Sequence, residues 1–407
     1  GDTAAGAETA ARASSDMTVR GTIHGDVLHS RPAVIDYGGT TGVVVFYGAN
    51  DGLFRAVNGN QPKNPSDTSK PKGDCKVSDT CAISVTNAAG NKVDIPPGGE
   101  LWSFVAPEFY PGLKTIYKNT QKLTLGSTSG SGKTYFFDGA PGVYYKRGAT
   151  PADTQAYIFI SARRGGRLIY AIDVSDPATP KFMWKRTNDS TDFGELGQTW
   201  SQPKVARIKG YTNPVLIFGA GYDTAEDKEP AEIDRMGRGI FIVDAITGNV
   251  VWRASHGAAG SATQCTGNPC LLSTMAYAIP ADLTLVDRDF DGFIDRIYAG
   301  DTGGNIWRVD LQPDGTGAVS TWQATLFAAL GGNNATKRKF FYSPDVVPTR
   351  QYDAVTAISG DREHPLVANG AAKVVNRFYM LKDSQTGNSA GAWSALRDDT
   401  SALADEQ

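Results

Sequence analysis

The acidic segment Asp287–Asp295 has the residue types and spacing in this sequence that are best suited to chemistry. It reads Asp-Arg-Asp-Phe-Asp-Gly-Phe-Ile-Asp, with carboxylates at positions 1, 3, 5 and 9. Gly292 at position 6 can adopt the positive φ of a sharp turn, which would let the carboxylates converge. Oxygen-rich coordination of this kind suits calcium, and no soft ligand lies nearby to favour zinc or copper. The segment therefore predicts a calcium site.

The predicted ligands are four carboxylates and one backbone carbonyl, namely those of Asp287, Asp289, Asp291 and Asp295 and the carbonyl of Phe293 at position 7. Position 12 is Tyr298 rather than the Glu of a helix–loop–helix hand, so Asp295 must close the site. Ile294 is expected to point into the core. Arg288 and Arg296 are expected to offset part of the acidic charge. An exposed acidic loop without a cation is the alternative interpretation.

The segments on either side of this loop, Leu283–Val286 and Ile297-Tyr298, have the pattern of strands, so the loop is predicted to join two strands of one sheet. A similar phrase recurs along the chain. A strand near a proline precedes an aliphatic strand ending in small residues, then a Gly-rich turn and an apolar–aromatic strand that often closes with Asp. The copies begin at Arg31–Asp36, Tyr157–Ala162, Pro203–Val205, Pro280–Leu283 and, in degenerate form, Ser343–Val347.

Each of these units is too small to bury its own faces, whereas radial stacking of such units would bury them. The predicted fold class is therefore all-β, a modified β-propeller with loop insertions. A β-sandwich is the alternative, but the copies are similar in the residues they contain as well as in their hydrophobic pattern, which favours a propeller. The insertions make the spacing irregular, so the spacing does not reveal the number of blades.

Composition and charge exclude some classes of function. The 407 residues carry a net charge of only −3 without a basic run, which argues against nucleic acid binding. No apolar stretch is long enough to span a membrane. Cys75 with Cys81, and Cys265 with Cys270, form two local pairs that suggest disulfides and hence an oxidising compartment. Zinc is the alternative, although CxxC spacing is absent and no histidine is near.

The predicted domain organisation is a single propeller with flexible ends. Residues 1–20 are expected to be a flexible N-terminal segment, residues 21–396 the propeller and residues 397–407 a disordered tail. Within the propeller, the polar residues 61–98 are interpreted as a surface insertion. Because the chain starts without Met, it is expected to be an excised domain or a processed product.

Several of these motifs together resemble the PilY family. The resemblance rests on Ile23–Val34, Phe46–Gly52, the acidic loop itself, Ile297–Asp301 and Trp307–Leu311, in preserved order. It covers roughly residues 20 to 385. The family implies a secreted or surface factor that promotes type IV pilus assembly and acts as a tip adhesin. It also implies a modified propeller of seven irregular blades, in which calcium in the corresponding loop regulates pilus extension against retraction.

Carried over to this sequence, the resemblance assigns Ca²⁺ as the cofactor, held by Asp287, Asp289, Asp291, Asp295 and the Phe293 carbonyl. It implies a non-enzymatic protein, exported through the periplasm to the cell surface, that supports twitching motility and surface adhesion. The implied partners are pilus subunits and, for the adhesive role, a host surface. The chain is expected to be a monomer in isolation.

An oxidoreductase is the alternative function. Val243–Trp252 looks like the tryptophan-docking phrase of quinoprotein dehydrogenase propellers, where Asp and Thr cap a turn and Trp packs between blades. A quinoprotein-type periplasmic enzyme would use calcium to hold a quinone in the central channel. Such enzymes typically have an adjacent Cys-Cys pair, which this sequence lacks.

Overall fold

The computed structural model describes residues 24–39, 41–61, 81–118, 132–150, 153–228, 233–257, 263–311, 317–332, 337–364, 374–387 and 394–397. The chain divides into two compact units, Gly1–Ala140 and Pro141–Gln407. The predicted boundaries of a single propeller over residues 21–396 stay a prediction. None of the helices in the described residues is both long and apolar enough to cross a membrane.

The first unit contains one four-stranded antiparallel sheet, sheet A, in the order β1-β2-β3-β6. Its strands are β1 (Ala33–Asp36), β2 (Val43–Gly48), β3 (Phe54–Asn58) and β6 (Glu100–Phe104). A separate hairpin, β4 (Ile83–Thr86) with β5 (Lys92–Ile95), lies in the predicted insertion, and helix α1 spans Tyr110–Lys118. Alternation along β2 buries Val44 and Phe46 and leaves Val43 and Val45 half-buried, as expected for a strand with one face in the core.

The second unit contains four sheets, named B to E, as far as the structure describes it. Sheet B has the order β10-β9-β8-β7, and sheet C has the order β11-β12-β13-β14-β16. The strands of sheet B are β7 (Gly142–Lys146), β8 (Gln155–Ser161), β9 (Leu168–Asp173) and β10 (Lys181–Thr187). The strands of sheet C are β11 (Lys204–Ala206), β12 (Val215–Gly219), β13 (Gly239–Asp244), β14 (Val250–His256) and β16 (Cys270–Leu272).

Sheet D has the order β15-β20-β19-β18-β17, with β24 also paired to β20, and sheet E has the order β21-β22-β23. The strands of sheet D are β15 (Gln264–Thr266), β17 (Thr284–Val286), β18 (Arg296–Gly300), β19 (Asn305–Asp310), β20 (Gln323–Ala329) and β24 (Leu396–Arg397). The strands of sheet E are β21 (Asp345–Pro348), β22 (Asp353–Ile358) and β23 (Phe378–Asp383).

Consecutive sheets of this unit pack face to face through apolar clusters. Phe159 and Trp184 of sheet B pack with Phe218 of sheet C, while Ile217 on the same strand packs toward sheet D. Every residue of β12 is consequently buried, because both faces of the sheet are covered. A third cluster joins sheet D to sheet E. Stacked sheets of this kind are what the repeated phrase predicted.

The link between sheets C and D combines a disulfide with a buried tryptophan. Cys265 on β15 of sheet D is bonded to Cys270 on β16 of sheet C, as the sequence predicted. Trp252, fully buried, donates its indole N–H to the carbonyl of Gly267, 2.7 Å away in the intervening turn. In the preceding turn, Asp244 accepts hydrogen bonds from the amides of Ile246 and Thr247. The phrase at 243–252 is thus confirmed as a turn cap followed by an intersheet tryptophan.

Each of the five copies of the phrase corresponds to one of sheets A to E. The predicted count of seven blades is not confirmed, since the described residues form these five sheets and one short hairpin. The prediction missed several strands, among them β10, β20 and β22, of which β22 follows Ser343–Val347 of the degenerate fifth copy. It also placed Arg397 in a disordered tail, whereas this residue pairs with Ala329 in sheet D. Of the other cysteine pair, Cys81 is disulfide-bonded and Cys75 lies outside the described residues.

Candidate metal centre

The acidic loop joins β17 to β18 within sheet D, as the sequence predicted. Val286 and Arg296 are the last paired residues of this hairpin. The amide of Asp295 donates to the carbonyl of Val286 at 2.9 Å, and the carbonyl of Asp295 accepts from the amide of Leu311 at 2.9 Å. The hairpin therefore ties the last residue of the loop to two neighbouring segments of the sheet.

Three of the predicted ligands come together. One carboxylate oxygen each from Asp287, Asp289 and Asp295 lies within 4.8 Å of the other two. The turn that brings them together is left-handed at Gly292, with φ of +88°, which confirms the predicted role of that glycine. Phe290 also has a positive φ, +61°, which the sequence did not predict. Such a cluster of carboxylate oxygens is a donor set suited to a hard cation.

Hydrogen bonds within the loop hold these carboxylates in place. The amide of Gly292 donates to Oδ2 of Asp287 at 2.8 Å, and the amide of Arg288 donates to Oδ2 of Asp295 at 2.8 Å. The amide of Asp291 lies 3.2 Å from oxygens of both Asp287 and Asp289. Backbone donors thus point at the carboxylates and partly offset their charge.

The other two predicted ligands are not in this group. Oδ1 of Asp291 accepts from the amide of Phe293 at 2.9 Å, and its Oδ2 lies 3.4 Å from Nζ of Lys209. The ring of Phe293 lies under the guanidinium of Arg207, 4.6 Å from ring centroid to Cζ. The contacts described for Phe293 involve its ring and amide, so a ligand role for its carbonyl stays a prediction.

The segment that directly follows strand β11 in this chain contacts the loop and supports it. The carbonyl of Arg207 accepts from the amide of Ile294 at 2.9 Å, and the Ile294 side chain packs against the core between sheets C and D. The predicted inward direction of Ile294 is confirmed. Sequence reasoning did not predict that Arg207 and Lys209 contact the loop, because they lie about 80 residues from it in the sequence and belong to no recognisable local pattern.

The carboxylates influence one another electrostatically. Half-burial raises the pKa of Asp295, and the nearby charges of Asp289, Asp291 and Asp287 raise it further. Among the described residues, Lys209 is the cation that forms an ion pair with a loop carboxylate. A divalent cation at the group would relieve the repulsion that raises this pKa.

The prediction that Arg288 and Arg296 offset the loop charge was wrong. Nε of Arg288 pairs with Asp353 of sheet E at 3.0 Å, and Arg296 pairs with Asp310 at 3.0 Å and with Asp353 at 2.7 Å. The reason lies in burial. Arg296 is only 2% exposed, and a buried guanidinium requires buried carboxylate partners. Sequence proximity to the loop did not decide where these side chains point.

An open groove of about 570 Å³ lies beside the strand that enters the loop. It is lined by residues of four strands, β7, β11, β17 and β21, or next to them, including Val143, Pro203, Leu285 and Pro344. Each of these strands is the edge strand of its own sheet.

The fold and site together define a β-sheet protein of propeller type with an acidic hairpin loop. Comparison with known proteins agrees with this description. A family model described as the PilY1 beta-propeller domain matches residues 112–323. That match covers just over half of the 407 residues, and the chain belongs to this family. The resemblance inferred from the motifs is thereby confirmed, as is the all-β propeller class.

Individual relatives carry the same family name. A type IV pilus biogenesis factor PilY1 from Pseudomonas aeruginosa is 26% identical in an alignment of 322 positions that covers 74% of this chain and 24% of that protein. A PilY1 homolog from Xylella fastidiosa is 25% identical over 235 residues, covering 57% of this chain and 16% of the homolog. This chain thus spans about a quarter or less of these relatives. They are named as pilus biogenesis factors rather than as enzymes.

A solved structure shows the same fold. The crystal structure of the Pseudomonas aeruginosa PilY1 C-terminal domain superposes with a TM-score of 0.54 at 21% identity. The match covers 87% of this chain and 60% of that one.

Proposed function

We propose that this chain is a non-enzymatic, calcium-responsive module of a type IV pilus biogenesis factor. Membership of the PilY1 β-propeller domain family supports the connection with pili. The observation that carries the calcium proposal is the convergence of the Asp287, Asp289 and Asp295 carboxylates within 4.8 Å. Oxygen donors of this charge and density favour Ca²⁺ over softer metals.

In this proposal Asp287, Asp289 and Asp295 hold the cation first. Asp291 joins them by leaving Lys209, from which it is separated by 3.4 Å in a solvent-exposed pair of small energetic value. The carbonyl of Phe293 completes the set. Bound calcium would supply positive charge that neutralises the loop and stiffens the β17–β18 hairpin.

The biological consequence follows from two states of this hairpin. Calcium-bound and calcium-free hairpins would offer different surfaces to pilus subunits, and so regulate extension, retraction, twitching motility and surface adhesion. A cation shifts such an equilibrium only by its differential affinity for the two states, so a site of moderate affinity suffices. The proposed location is the cell surface, reached through the periplasm, and the Cys265–Cys270 disulfide agrees with an oxidising compartment.

Calorimetric titration of the chelator-treated protein with calcium tests this proposal, with magnesium as competitor. We expect one saturable calcium event, which Asp287→Asn abolishes because it removes a converging carboxylate that also accepts the Gly292 amide. Asp291→Asn is expected to weaken binding less, by about tenfold, since Asp291 joins the site only on binding. Asp189→Asn, at an exposed acidic position outside the loop, is the matched control and should leave binding unchanged.

If no heat of binding is detected at millimolar calcium, the proposal that the loop binds calcium would be refuted. The quinoprotein alternative has its own test, which is an absorbance spectrum recorded after addition of the quinone. A bound-quinone spectrum that depends on calcium would favour the enzyme over the pilus module.

A further inference from the structure

One buried carboxylate holds both ends of the acidic loop. Asp353, fully buried at the start of β22, accepts from Nε of Arg288 at 3.0 Å through Oδ1 and from Arg296 at 2.7 Å through Oδ2. Arg288 is the second residue of the loop, and Arg296 follows its last residue directly. A second contact, from the Arg288 guanidinium to the carbonyl of Thr349 at 2.8 Å, fixes the same side chain. Both ends of the loop are therefore tied to sheet E.

Among the described residues, Asp353 is the carboxylate with which Arg288 forms an ion pair, and the other two carboxylates of this buried network pair with other arginines. Asp310 pairs with Arg296 and with Arg308, while Asp383 pairs with Arg308 at 2.7 Å and lies 3.8 Å from Arg296. Asp383 also accepts from the hydroxyl of Tyr298 at 2.6 Å. The network thus consists of three arginines, Arg288, Arg296 and Arg308, and three aspartates, Asp310, Asp353 and Asp383. In such a balanced set, removal of one carboxylate leaves a guanidinium without its partner.

Arg288 lies close enough to the loop carboxylates to compete with a cation for them. Its backbone nitrogen is 2.8 Å from Oδ2 of Asp295, one of the three converging residues. A guanidinium released from Asp353 would be drawn to these carboxylates, because they repel one another and form bidentate pairs readily with arginine.

We infer that Asp353 is a positioning residue for the loop: it keeps the Arg288 guanidinium away from the carboxylates and so leaves them available to a divalent cation. Cation binding and the docking of β22 against the hairpin are thereby coupled, so that sheet E is the part of the fold that responds to calcium. This inference rests on the proposed function, since calcium is the cation considered, and adds to it a residue outside the loop.

Calcium titration of four proteins tests this inference: the unmodified chain, Asp353→Asn, Arg288→Gln and the double variant. We expect Asp353→Asn to weaken calcium binding about tenfold, the scale of one added positive charge beside a partly solvated site. Arg288→Gln should change the affinity by no more than about twofold, because Arg288 is already held away. The double variant should return to the affinity of Arg288→Gln.

Two patterns would overturn the inference while leaving the calcium site intact. Equal weakening in Asp353→Asn and in the double variant would mean that Asp353 acts only through the structure. If Arg288→Gln strengthens calcium binding by the same factor by which Asp353→Asn weakens it, the two residues would act only through their long-range charges. Asp353 would then have no role in positioning Arg288. If the unmodified chain binds no calcium, the proposed function fails first and this inference with it, so the two failures are distinguishable.

Asp383→Asn is the matched control, because Asp383 is equally buried in the same network but contacts neither Arg288 nor the loop. It should keep calcium affinity within about twofold of the unmodified chain. Circular dichroism verifies that each variant folds. Should Asp353→Asn not fold, Arg288→Lys replaces it: lysine keeps the charge but cannot hold Asp353 and the Thr349 carbonyl together. It should then bind calcium more weakly than Arg288→Gln, and equal affinities of the two would refute the positioning role.

Discussion

Asp234 is expected to make the protein less stable as the pH rises toward neutrality. This carboxyl is only 1% exposed. Its Oδ2 accepts from the amide of Ala278 at 2.9 Å and from the hydroxyl of Thr302 at 3.0 Å. Its Oδ1 accepts no hydrogen bond from the residues that the structure describes. Burial, followed by the charge of the fully buried Glu226, raises the pKa of Asp234 from 3.8 to about 7.

The sign of the effect follows from proton linkage. Between about pH 4 and 7, the folded protein binds a proton at Asp234 that the unfolded chain has already released, so stability falls as the pH rises through this window. The raised pKa corresponds to about 4 kcal/mol of lost stability above pH 7, at 1.36 kcal/mol for each unit. Asp234→Asn removes the charge, and its amide oxygen can keep both hydrogen bonds that Oδ2 accepts.

Asp234→Asn should therefore raise the free energy of unfolding at pH 8 by about 2–4 kcal/mol and change it little at pH 4. Urea denaturation of both proteins at the two pH values measures the difference. The exposed substitution Asp189→Asn serves as a control and should stay within about 0.5 kcal/mol at both. A gain of equal size at pH 4 and pH 8, or a loss at pH 8, would refute the reasoning from burial and charge.

Two further predictions concern the contact between sheets C and D. Trp252→Phe should lower the free energy of unfolding by about 2 kcal/mol, because it leaves a gap in the core and removes the 2.7 Å hydrogen bond to Gly267; an unchanged urea midpoint would contradict it. Joint replacement of Cys265 and Cys270 by Ser should cost about 2 kcal/mol, the chain-entropy value for so short a loop. Thermal denaturation measures this loss, and identical midpoints would show that the bridge contributes nothing.

Local patterns in the sequence were sufficient to predict the strands that make up the repeated phrase. The repeated phrase corresponds to sheets A to E because continuous apolar runs with Gly-rich turns are signals contained within a few residues. The acidic loop could be found in the same way. Its carboxylates and Gly292 are close in sequence, so the turn at Gly292 needs little from elsewhere to bring three of them together. Strands that the phrase does not include, such as β10, β20 and β22, were not predicted. Of these, β22 lies where the phrase is degenerate and the pattern weak.

The surroundings of the loop were decided only by the tertiary structure. Arg288 and Arg296 were expected to face the acidic loop, yet both reach Asp353, which lies 65 residues beyond Arg288 in the sequence. Lys209, whose approach to Asp291 also comes from a distant segment, gave no local signal. The partner of a buried charged side chain depends on which groups lie near it in the folded structure and on the cost of desolvation. The packing of sheets C, D and E determines which groups are near, and local sequence patterns carry no information about that packing.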